Sequence, residues 1–488
     1  MLRARLVLCL ALLWPAAAMA QPIDQAGADA LRQSLQSWFA GVLGPNRGAA
    51  EQRLRVAPAG DHFRVALPFA DAVGQDAVTA DVRPLQGGRW AVDALWLPAA
   101  TRFMLQMPEP GGPPGAVVPT RFDLRIGDQH SHALVDPALA TPSQISVDLA
   151  NVDLAADSVR RHQLQHLDHY AVQATLRPDG DRLDLVENTT IAGWRSASRE
   201  GDKPAVGFGA DRILANLRID GIDRGHAAAL MSAASGLIAT LPPAAAARHG
   251  TTALSPPERA ALRALIESLR GIVTDVHGDE AIDGVHVAVA GMGEFTVRHA
   301  SLGMDGAAPG GLLHATLHIG LDGLTAGGLP PSTMALMPHH VTLQPSVSGV
   351  SLAALTTLAL AATDQNASPA ELQRDKAALW AQGGMTVGLD AMDMDVGPAS
   401  LHGHGTVQVS GPGDYMVHAR ITATGVDALI QQAAGNPDLQ RAFPLIAMVR
   451  GFARPEGDHL VWDIVASPAG ITVNGVPIGP GRGHPDRR

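Results

Sequence analysis

The chain has almost no cysteine. Of its 488 residues only Cys9 is a cysteine, and it lies close to the N-terminus. The rest of the sequence can therefore form no disulfide bond, no cysteine-ligated zinc site and no thiol nucleophile. A lipid anchor attached to Cys9 is disfavoured, because Leu8 stands where such an attachment site needs a small residue.

Basic side chains are also scarce. The chain has 36 Lys and Arg against 47 Asp and Glu, for a formal net charge of −11, and its only lysines are Lys203 and Lys376. A protein that binds nucleic acid needs clustered basic residues to neutralise phosphates. No such cluster is present in the sequence, which predicts that nucleic acid is not a partner.

Long hydrophobic runs are missing, and even the N-terminal run is short. A basic start precedes apolar residues 6–13, and the segment ends in Ala18-Met19-Ala20. A membrane-spanning helix takes about 20 apolar residues, whereas a short run followed by Ala-x-Ala is typical of a cleaved signal peptide. We expect residues 1–20 to be a signal peptide and the protein to be periplasmic or secreted, with no transmembrane segment after cleavage.

The first part of the mature chain contains one helical pattern and then alternating ones. An apolar stripe predicts a helix over residues 28–43. Short runs follow in which every second residue is apolar, separated by Gly, Pro and Asp, which is typical of antiparallel strands with one solvent-facing side. The clearest runs are 63–67, 90–97, 121–126, 145–149 and 170–176. We predict that residues 21–204 form an N-terminal helix plus an antiparallel β domain.

From residue 205 onwards a local pattern recurs. Three strand-like runs end in glycine, an apolar residue and then Asp223, Ser351 or Asp427. These Asp and Ser side chains are expected to cap a following helix by accepting a backbone hydrogen bond. Helix-start motifs with proline follow at Ser255, at Ser368 and, more loosely, at Asn436.

These signals predict a repeated strand–helix–helix–strand region over residues 205–488. The fold class that we predict for the whole chain is α+β and β-dominated. It has extended antiparallel sheets, helices packed on one face and internal repeats in the C-terminal half.

Three histidines, His162, His166 and His169, suggest a metal site. On a helix their spacing would place them on one face, as a zinc site requires. The segment leads directly into the run at 170–176, however, and on a strand His169 would face away from His162, His166 and Asp168. We predict a solvated polar surface, and leave open whether the three histidines converge on a metal.

Other candidate residues favour structural roles. The pairs His130/His132, His339/His340 and His402/His404 are expected to be surface imidazoles without the carboxylate that orients a metal ligand. Asp390, Asp393 and Asp395 lack the glycine and the distal glutamate of a calcium loop, and their alternation with methionines is typical of a half-buried strand. Gly403-His404-Gly405 lacks the third glycine of a dinucleotide loop. We therefore assign no catalytic, cofactor-binding or metal-ligating residue.

Short stretches of the C-terminal half resemble a known group of proteins. The stretches are 396–409 (VGPASLHGHGTVQV), 419–423 (ARITA) and 469–479 (AGITVNGVPIG). They are similar to secreted proteobacterial proteins that share a domain of unknown function, with glycine-turned strand pairs. The repeated strands also resemble, more distantly, envelope proteins of the AsmA type, which are associated with lipid handling. The resemblance implies an envelope location and a β-rich repeat fold, and it carries no catalytic residues.

Export, repetition and the lack of catalytic motifs together predict a non-enzymatic periplasmic protein of the cell envelope. The candidate partners are a lipid or other apolar ligand and an envelope protein, and no cofactor is expected. One alternative is an envelope hydrolase whose carboxylates or histidines meet only in three dimensions. Another is a structural or surface interaction protein. An apolar binding surface would favour the first interpretation.

Overall fold

The structure is a computed structural model dominated by antiparallel strands. It describes residues 22–43, 54–67, 78–108, 117–136, 141–159, 161–201, 205–226, 233, 256–268, 275–291, 293–330, 334, 337–362, 368–379, 384–411, 413–434 and 443–478. Most of these residues are in strands, and the strand pairs among them are antiparallel. The β-dominated, antiparallel fold class is thereby confirmed. The expected signal peptide lies outside the described residues.

The chain divides into two compact units, Met1–Val273 and Thr274–Arg488. The sequence predicted a boundary after residue 204, but residues 206–223 form a strand that pairs with the strand before it along its length. This pairing keeps residues 206–223 in the sheet of the N-terminal unit.

The described residues of the N-terminal unit form α-helices and a long series of strands. They are α1 (Gln25–Leu43), β1 (Arg55–Ala59), β2 (His62–Leu67), β3 (Val78–Pro84), β4 (Trp90–Trp96), β5 (Ala100–Pro108), β6 (Val117–Asp136), β7 (Thr141–Asp157), β8 (Arg161–Asp179), β9 (Arg182–Glu200), β10 (Val206–Asp223) and α2 (Pro256–Ser268). Strands that follow one another pair in order, except that β4 and β5 both pair with β6, at opposite ends of that long strand.

Helix α1 packs on this sheet through the apolar stripe that the sequence predicts. Leu31 is buried in one cluster with Phe63 of β2 and Trp90 of β4. The helix begins earlier than predicted, because the Asp24 carboxylate accepts a hydrogen bond of 2.8 Å from the backbone N–H of Gly27. The predicted helix is confirmed, and its buried face belongs to the core of its own unit.

The predicted strands at 121–126, 145–149 and 170–176 exist, but they are parts of strands of 20, 17 and 19 residues. Gly127, which was expected to end the first of them, stays within the ladder beside Asn151. Asn151 has a φ of 52°, and a Cβ at position 127 would lie 3.0 Å from its Cβ. The two residues allow a close approach inside the sheet, so glycine marks an irregularity here and not a turn.

The C-terminal unit is a second antiparallel meander with helices inserted between strands. Its elements are β11 (Asp275–Val289), β12 (Gly293–Ala307), β13 (Leu312–Ala326), β14 (Pro338–Ser351), α3 (Leu352–Ala362), α4 (Pro369–Ala378), β15 (Met385–Val396), β16 (Ala399–Gly411), β17 (Asp414–Thr424), α5 (Val426–Ala434), α6 (Phe443–Gly451), β18 (Arg454–Glu456), β19 (His459–Ser467), β20 (Gly470–Val473) and β21 (Val476–Ile478). Neighbours in sequence pair with each other, except that β17 pairs with β19.

The three glycines of the recurring pattern share one backbone conformation. Gly221, Gly349 and Gly425 have φ values of 68°, 82° and 68°. A Cβ on Gly425 would lie 2.0 Å from the carbonyl oxygen of Pro398. Glycine is needed at this position both for the left-handed backbone and for the close approach of the turn between β15 and β16.

Two of the three expected caps are present. The Asp223 carboxylate accepts a backbone hydrogen bond of 2.9 Å, and the Ser351 hydroxyl accepts one of 3.3 Å, each from the N–H three residues later. The expectation for Asp427 is wrong, because it lies inside α5 and accepts two hydrogen bonds from Arg450, at 2.5 and 3.0 Å. The Asp427 carboxylate, which the local pattern assigned to a helix cap, instead forms an ion pair with Arg450, a residue distant in the sequence.

The capping box at Ser368 is confirmed. Its hydroxyl accepts a hydrogen bond from the backbone N–H of Glu371 at 3.1 Å, and the Glu371 carboxylate accepts one from the N–H of Ser368 at 2.8 Å. The corresponding positions Ser255 and Asn436 lie outside the described residues.

Candidate apolar ligand-binding face

The register of β11 to β17 places aliphatic side chains on one side of the sheet. Paired residues of antiparallel strands project from the same face, so the pairing itself defines rows that cross the strands. Three such rows make up what we call the apolar face. In order from β11 they are Ile282, Ala300, Leu321, Val341, Met394, Leu401, Ala423; then Glu280, Leu302, Ile319, Leu343, Met392, Gly403, Ile421; then Val276, Gly306, Ala315, Val347, Val387, Val407, Val417.

The opposite side of the same strands is polar. We call it the polar face and define it by three rows that alternate with those above. In order from β11 they are Asp283, His299, Asp322, His340, Asp395, Ser400, Thr424; then Ala281, Ser301, Gly320, Thr342, Asp393, His402, Thr422; then His277, Asp305, Thr316, Ser346, Gly388, Thr406, His418. The sheet is therefore two-sided, which is the arrangement that alternation in each strand requires.

The apolar face is exposed in its middle part. Leu302 is 48% exposed, Ile319 37% and Val387 38%, and the neighbouring Met304 and Leu317 are also exposed. The exposed residues lie on β12, β13 and β15, and four strands at about 4.8 Å spacing cover about 14 Å across the rows. Exposed apolar side chains grouped in this way mark binding sites.

The end of the apolar face at β17 and β19 is closed by helix α6 and the last hairpin. Trp462, paired with Ile421, is buried in one cluster with Val473 and Phe452. Its indole N–H donates a hydrogen bond of 2.8 Å to the backbone carbonyl of Val449 in α6. The indole N–H of Trp462 is thus already satisfied, and the exposed part of the apolar face lies on β12, β13 and β15.

On the polar face, histidines and carboxylates on neighbouring strands form hydrogen bonds. His299 Nδ1 lies 2.7 Å from Asp283 Oδ1, and His340 Nδ1 lies 2.6 Å from Asp322 Oδ1. Further bonds of this type join β15 to β16 and β11 to β12: His402 with Asp393 at 2.5 Å and His277 with Asp305 at 2.5 Å. Each bond links two adjacent strands on the side away from the apolar face.

Two of these hydrogen bonds shift the pKa values of the groups that form them. The Asp322 carboxylate raises the pKa of His340, and the same hydrogen bond lowers the pKa of Asp322. Asp305, with Asp279 as a second partner, raises the pKa of His277, and His277 in turn lowers the pKa of Asp305. All of these groups are partly exposed, so each pair is worth no more than about 1 kcal/mol.

A depression of about 450 Å³ crosses β15 to β19. Its lining includes Asp390, His404 and Arg420. Arg420 forms ion pairs with Glu456 at 3.0 Å and with Asp463 at 3.3 Å, and Asp390 accepts a hydrogen bond from a serine of β14. The charges of the depression are compensated within the protein, so we assign no ligand to it.

The three histidines that suggested a metal site lie on β8, each with its own carboxylate. His162 is bonded to Asp157, His166 to Asp153 at 2.7 Å and to Asp168 at 2.8 Å, and His169 to Asp148 at 3.1 Å. The expected common face of His166 and Asp168 is confirmed by their hydrogen bond. Within the described part of the chain, no group of three or more His, Cys, Asp or Glu residues is arranged to hold a metal ion.

The other candidates lie in strands. His130 and His132 are in β6, His339 in β14 and His404 in β16. The expectation that these histidine pairs lack an orienting carboxylate is wrong for His340 and His402, since each is bonded to an aspartate of the neighbouring strand. Local sequence could not show those partners, because they lie 18 and 9 residues away along the chain.

The aspartates at 390, 393 and 395 and the Gly403-His404-Gly405 stretch also follow strand geometry. The first set lies in β15, as predicted, and the second lies in β16, which leads into β17 and not into a helix. Sequence reasoning placed strands here but did not identify the apolar face. The signal that could have found it is the alternation of aliphatic residues over 300–304 and 315–321 with His, Gly, Ser and Thr between them.

None of the helices that the structure describes is long and apolar enough to cross a membrane. Comparison of the chain with protein-family models, with curated proteins and with solved structures finds no match. The geometry of the two faces is therefore the basis on which a function can be proposed.

Proposed function

We propose that this chain is a non-enzymatic periplasmic protein of the cell envelope that binds a lipid through its acyl chains on the apolar face. The observation that carries the proposal is the exposed middle of that face, at Leu302, Ile319 and Val387. Binding an acyl chain there would remove these side chains from water, at about 25 cal/mol for each Å² of apolar surface buried.

The chemistry of the apolar face favours an acyl chain over a polypeptide. Protein interfaces carry about one hydrogen bond for every 100–200 Å². In the three rows, Glu280 at one margin is the only residue with a polar side chain, and the backbone groups of the interior strands are engaged in the ladders on both sides. An acyl chain needs no hydrogen bonds, whereas a bound peptide would leave its own unsatisfied.

Two features of the sequence belong to the same proposal. The expected signal peptide at residues 1–20 would deliver the protein to the periplasm or beyond. The recurring strand and helix signals over residues 205–488 are proposed to be repeated units with helices packed on one face. A lipid-handling role agrees with the distant resemblance to envelope proteins of the AsmA type.

The first test is native mass spectrometry of the protein purified from its own periplasm, followed by organic extraction. We expect a co-purifying lipid mass that is released by the solvent. A ligand-free mass without metal would contradict lipid binding and favour a structural role. A bound zinc ion would instead favour the hydrolase alternative.

A matched pair of variants in β13 places the lipid on one side of the sheet. Ile319→Gln puts an amide on the apolar face, and Thr316→Gln puts the same group on the polar face. We expect the first variant to retain much less lipid and the second to retain as much as the unmodified protein. Equal retention by both variants would show that the ligand binds elsewhere.

A further inference from the structure

One row of the polar face runs across six strands as an alternation of carboxylates and imidazoles. We call it the clasp row, and it consists of Asp283, His299, Asp322, His340, Asp395 and Ser400, one from each strand from β11 to β16. Its hydrogen bonds are 2.7 Å between β11 and β12, 2.6 Å between β13 and β14, and 2.5 Å between β15 and β16. Each histidine of the clasp row therefore stands in register between two carboxylates, one from each neighbouring strand.

The protonation of the imidazoles determines how many of these carboxylates receive a hydrogen bond and a compensating positive charge. A neutral imidazole has one N–H donor, whereas the imidazolium ion has two donors and a positive charge. At His340, Nδ1 is bonded to Asp322 and Nε2 lies 3.2 Å from the hydroxyl oxygen of Thr342. When the imidazoles are neutral, the three carboxylates of the clasp row are left without a compensating positive charge between them.

Carboxylates from the neighbouring strands surround the two histidines of the clasp row. His340 is faced by Asp322 from β13 and by Asp393 and Asp395 from β15, and the three carboxylates raise its pKa. His299 is faced by Asp283 from β11 and by Asp322 from β13.

Two further groups belong to the surroundings of the row. On β16, His402 is bonded to Asp393. Arg298 of β12 also acts on Asp322, together with His299. Acidic groups thus outnumber the permanent cations at this place on the sheet.

We propose that the clasp row is a pH-sensitive device that holds β11 to β15 together in acidic surroundings and loosens them as the pH rises. In acid, each imidazolium is bonded to the carboxylate of one neighbouring strand and lies in register with a carboxylate of the other, so that it attracts both. As the histidines lose their protons, Asp283, Asp322 and Asp395 remain as like charges on alternate strands, and the strands between them lose their electrostatic links. The device acts on the sheet itself and does not depend on the proposed lipid.

Hydrogen exchange of backbone amides tests this directly, expressed as protection factors so that the intrinsic pH dependence of exchange is removed. We expect the protection of β13 and β14 to fall by about tenfold between acid and mildly alkaline pH, the size that two partly exposed ion pairs produce. The fall should follow the titration of His299 and His340 recorded by NMR on the same unmodified protein. Protection that does not change with pH would overturn the proposal.

A double variant and a control separate the clasp row from general effects of pH. His299→Gln with His340→Gln should remove most of the pH dependence of the protection of β13 and β14, and leave only the part that comes from the remaining histidines, such as His318 of β13. The control is His314→Gln, an exposed histidine of β13 for which no hydrogen bond or ion pair is found within the described residues. It should keep the full pH dependence, and a double variant that also keeps it would overturn the proposal.

Discussion

Asn474 closes one end of the apolar face, and its replacement gives a sharp test of the structure. Its side-chain amide donates hydrogen bonds to the backbone carbonyls of Phe452 at 2.8 Å and of Val461 at 2.9 Å. Its side-chain oxygen accepts one from the N–H of Asp463, also at 2.9 Å. One residue thus joins the end of α6, strand β19 and the hairpin of β20 and β21.

The expected cost follows from these bonds and from the backbone of Asn474. Three hydrogen bonds at about 1 kcal/mol each give about 3 kcal/mol for Asn474→Gly. The φ of residue 474 is 49°, in the left-handed region. Asn474→Ala should therefore cost about 1 kcal/mol more than Asn474→Gly, since alanine is disfavoured there and glycine is not.

Hydrogen exchange of peptides from residues 443–478 measures this local free energy of opening. A loss of about 3 kcal/mol corresponds to more than a hundredfold faster exchange in Asn474→Gly. Peptides from β1 to β4 in the N-terminal unit serve as the internal control and should not change. A decrease in this local free energy of opening below about 0.5 kcal/mol would refute the conclusion that the hydrogen bonds of Asn474 stabilise the contact between α6 and the hairpin.

Three further predictions concern the stability of the C-terminal unit. Gly425→Ala should lower the free energy of unfolding by more than about 2 kcal/mol, seen as a lower urea midpoint, because its Cβ would lie 2.0 Å from the Pro398 carbonyl oxygen at a φ of 68°. Ser368→Ala should cost about 1 kcal/mol of helix stability, seen as faster amide exchange in α4. The interaction that raises the pKa of His277 stabilises the folded unit below about pH 6.5, and this stabilisation is lost at higher pH. The interaction that lowers the pKa of Asp305 stabilises the folded unit above about pH 4, and this stabilisation is lost in acid. Urea midpoints should therefore be highest between these values, and Asp305→Asn should flatten the profile.

The sequence predicted elements whose signals are local. Helix α1, the strand at 63–67 and the capping box at Ser368 each depend on side chains within a few residues of one another, and all three are present. Strand ends were predicted less well. The alternating run before Gly127 predicts a turn at this glycine, because the sequence does not show that Asn151 lies opposite it.

The candidate site could not be predicted to the same extent, because its members meet only through register. Leu302, Ile319 and Leu343 are neighbours on three strands, yet they are 17 and 24 residues apart along the chain. The same holds for the partners of His340 and His402, which come from adjacent strands. A local reading identifies which residues alternate, but the pairing decides which alternating sets lie on one face.

Strand β15 shows that this pairing preserves the apolar face even where the sequence loses its alternation. The aliphatic residues Val387 and Leu389 are followed by Met392 and Met394, so the period of two is broken by one residue. The ladder with β16 shifts between Leu389 and Met392, which leaves Asp390 in the irregular segment. A bulge of one residue restores the alternation, so that Val387, Met392 and Met394 all join the rows of the apolar face and Leu389 lies on the same side. A strand without the bulge would turn two of them toward the polar face, and the irregularity is therefore what keeps the proposed binding surface continuous.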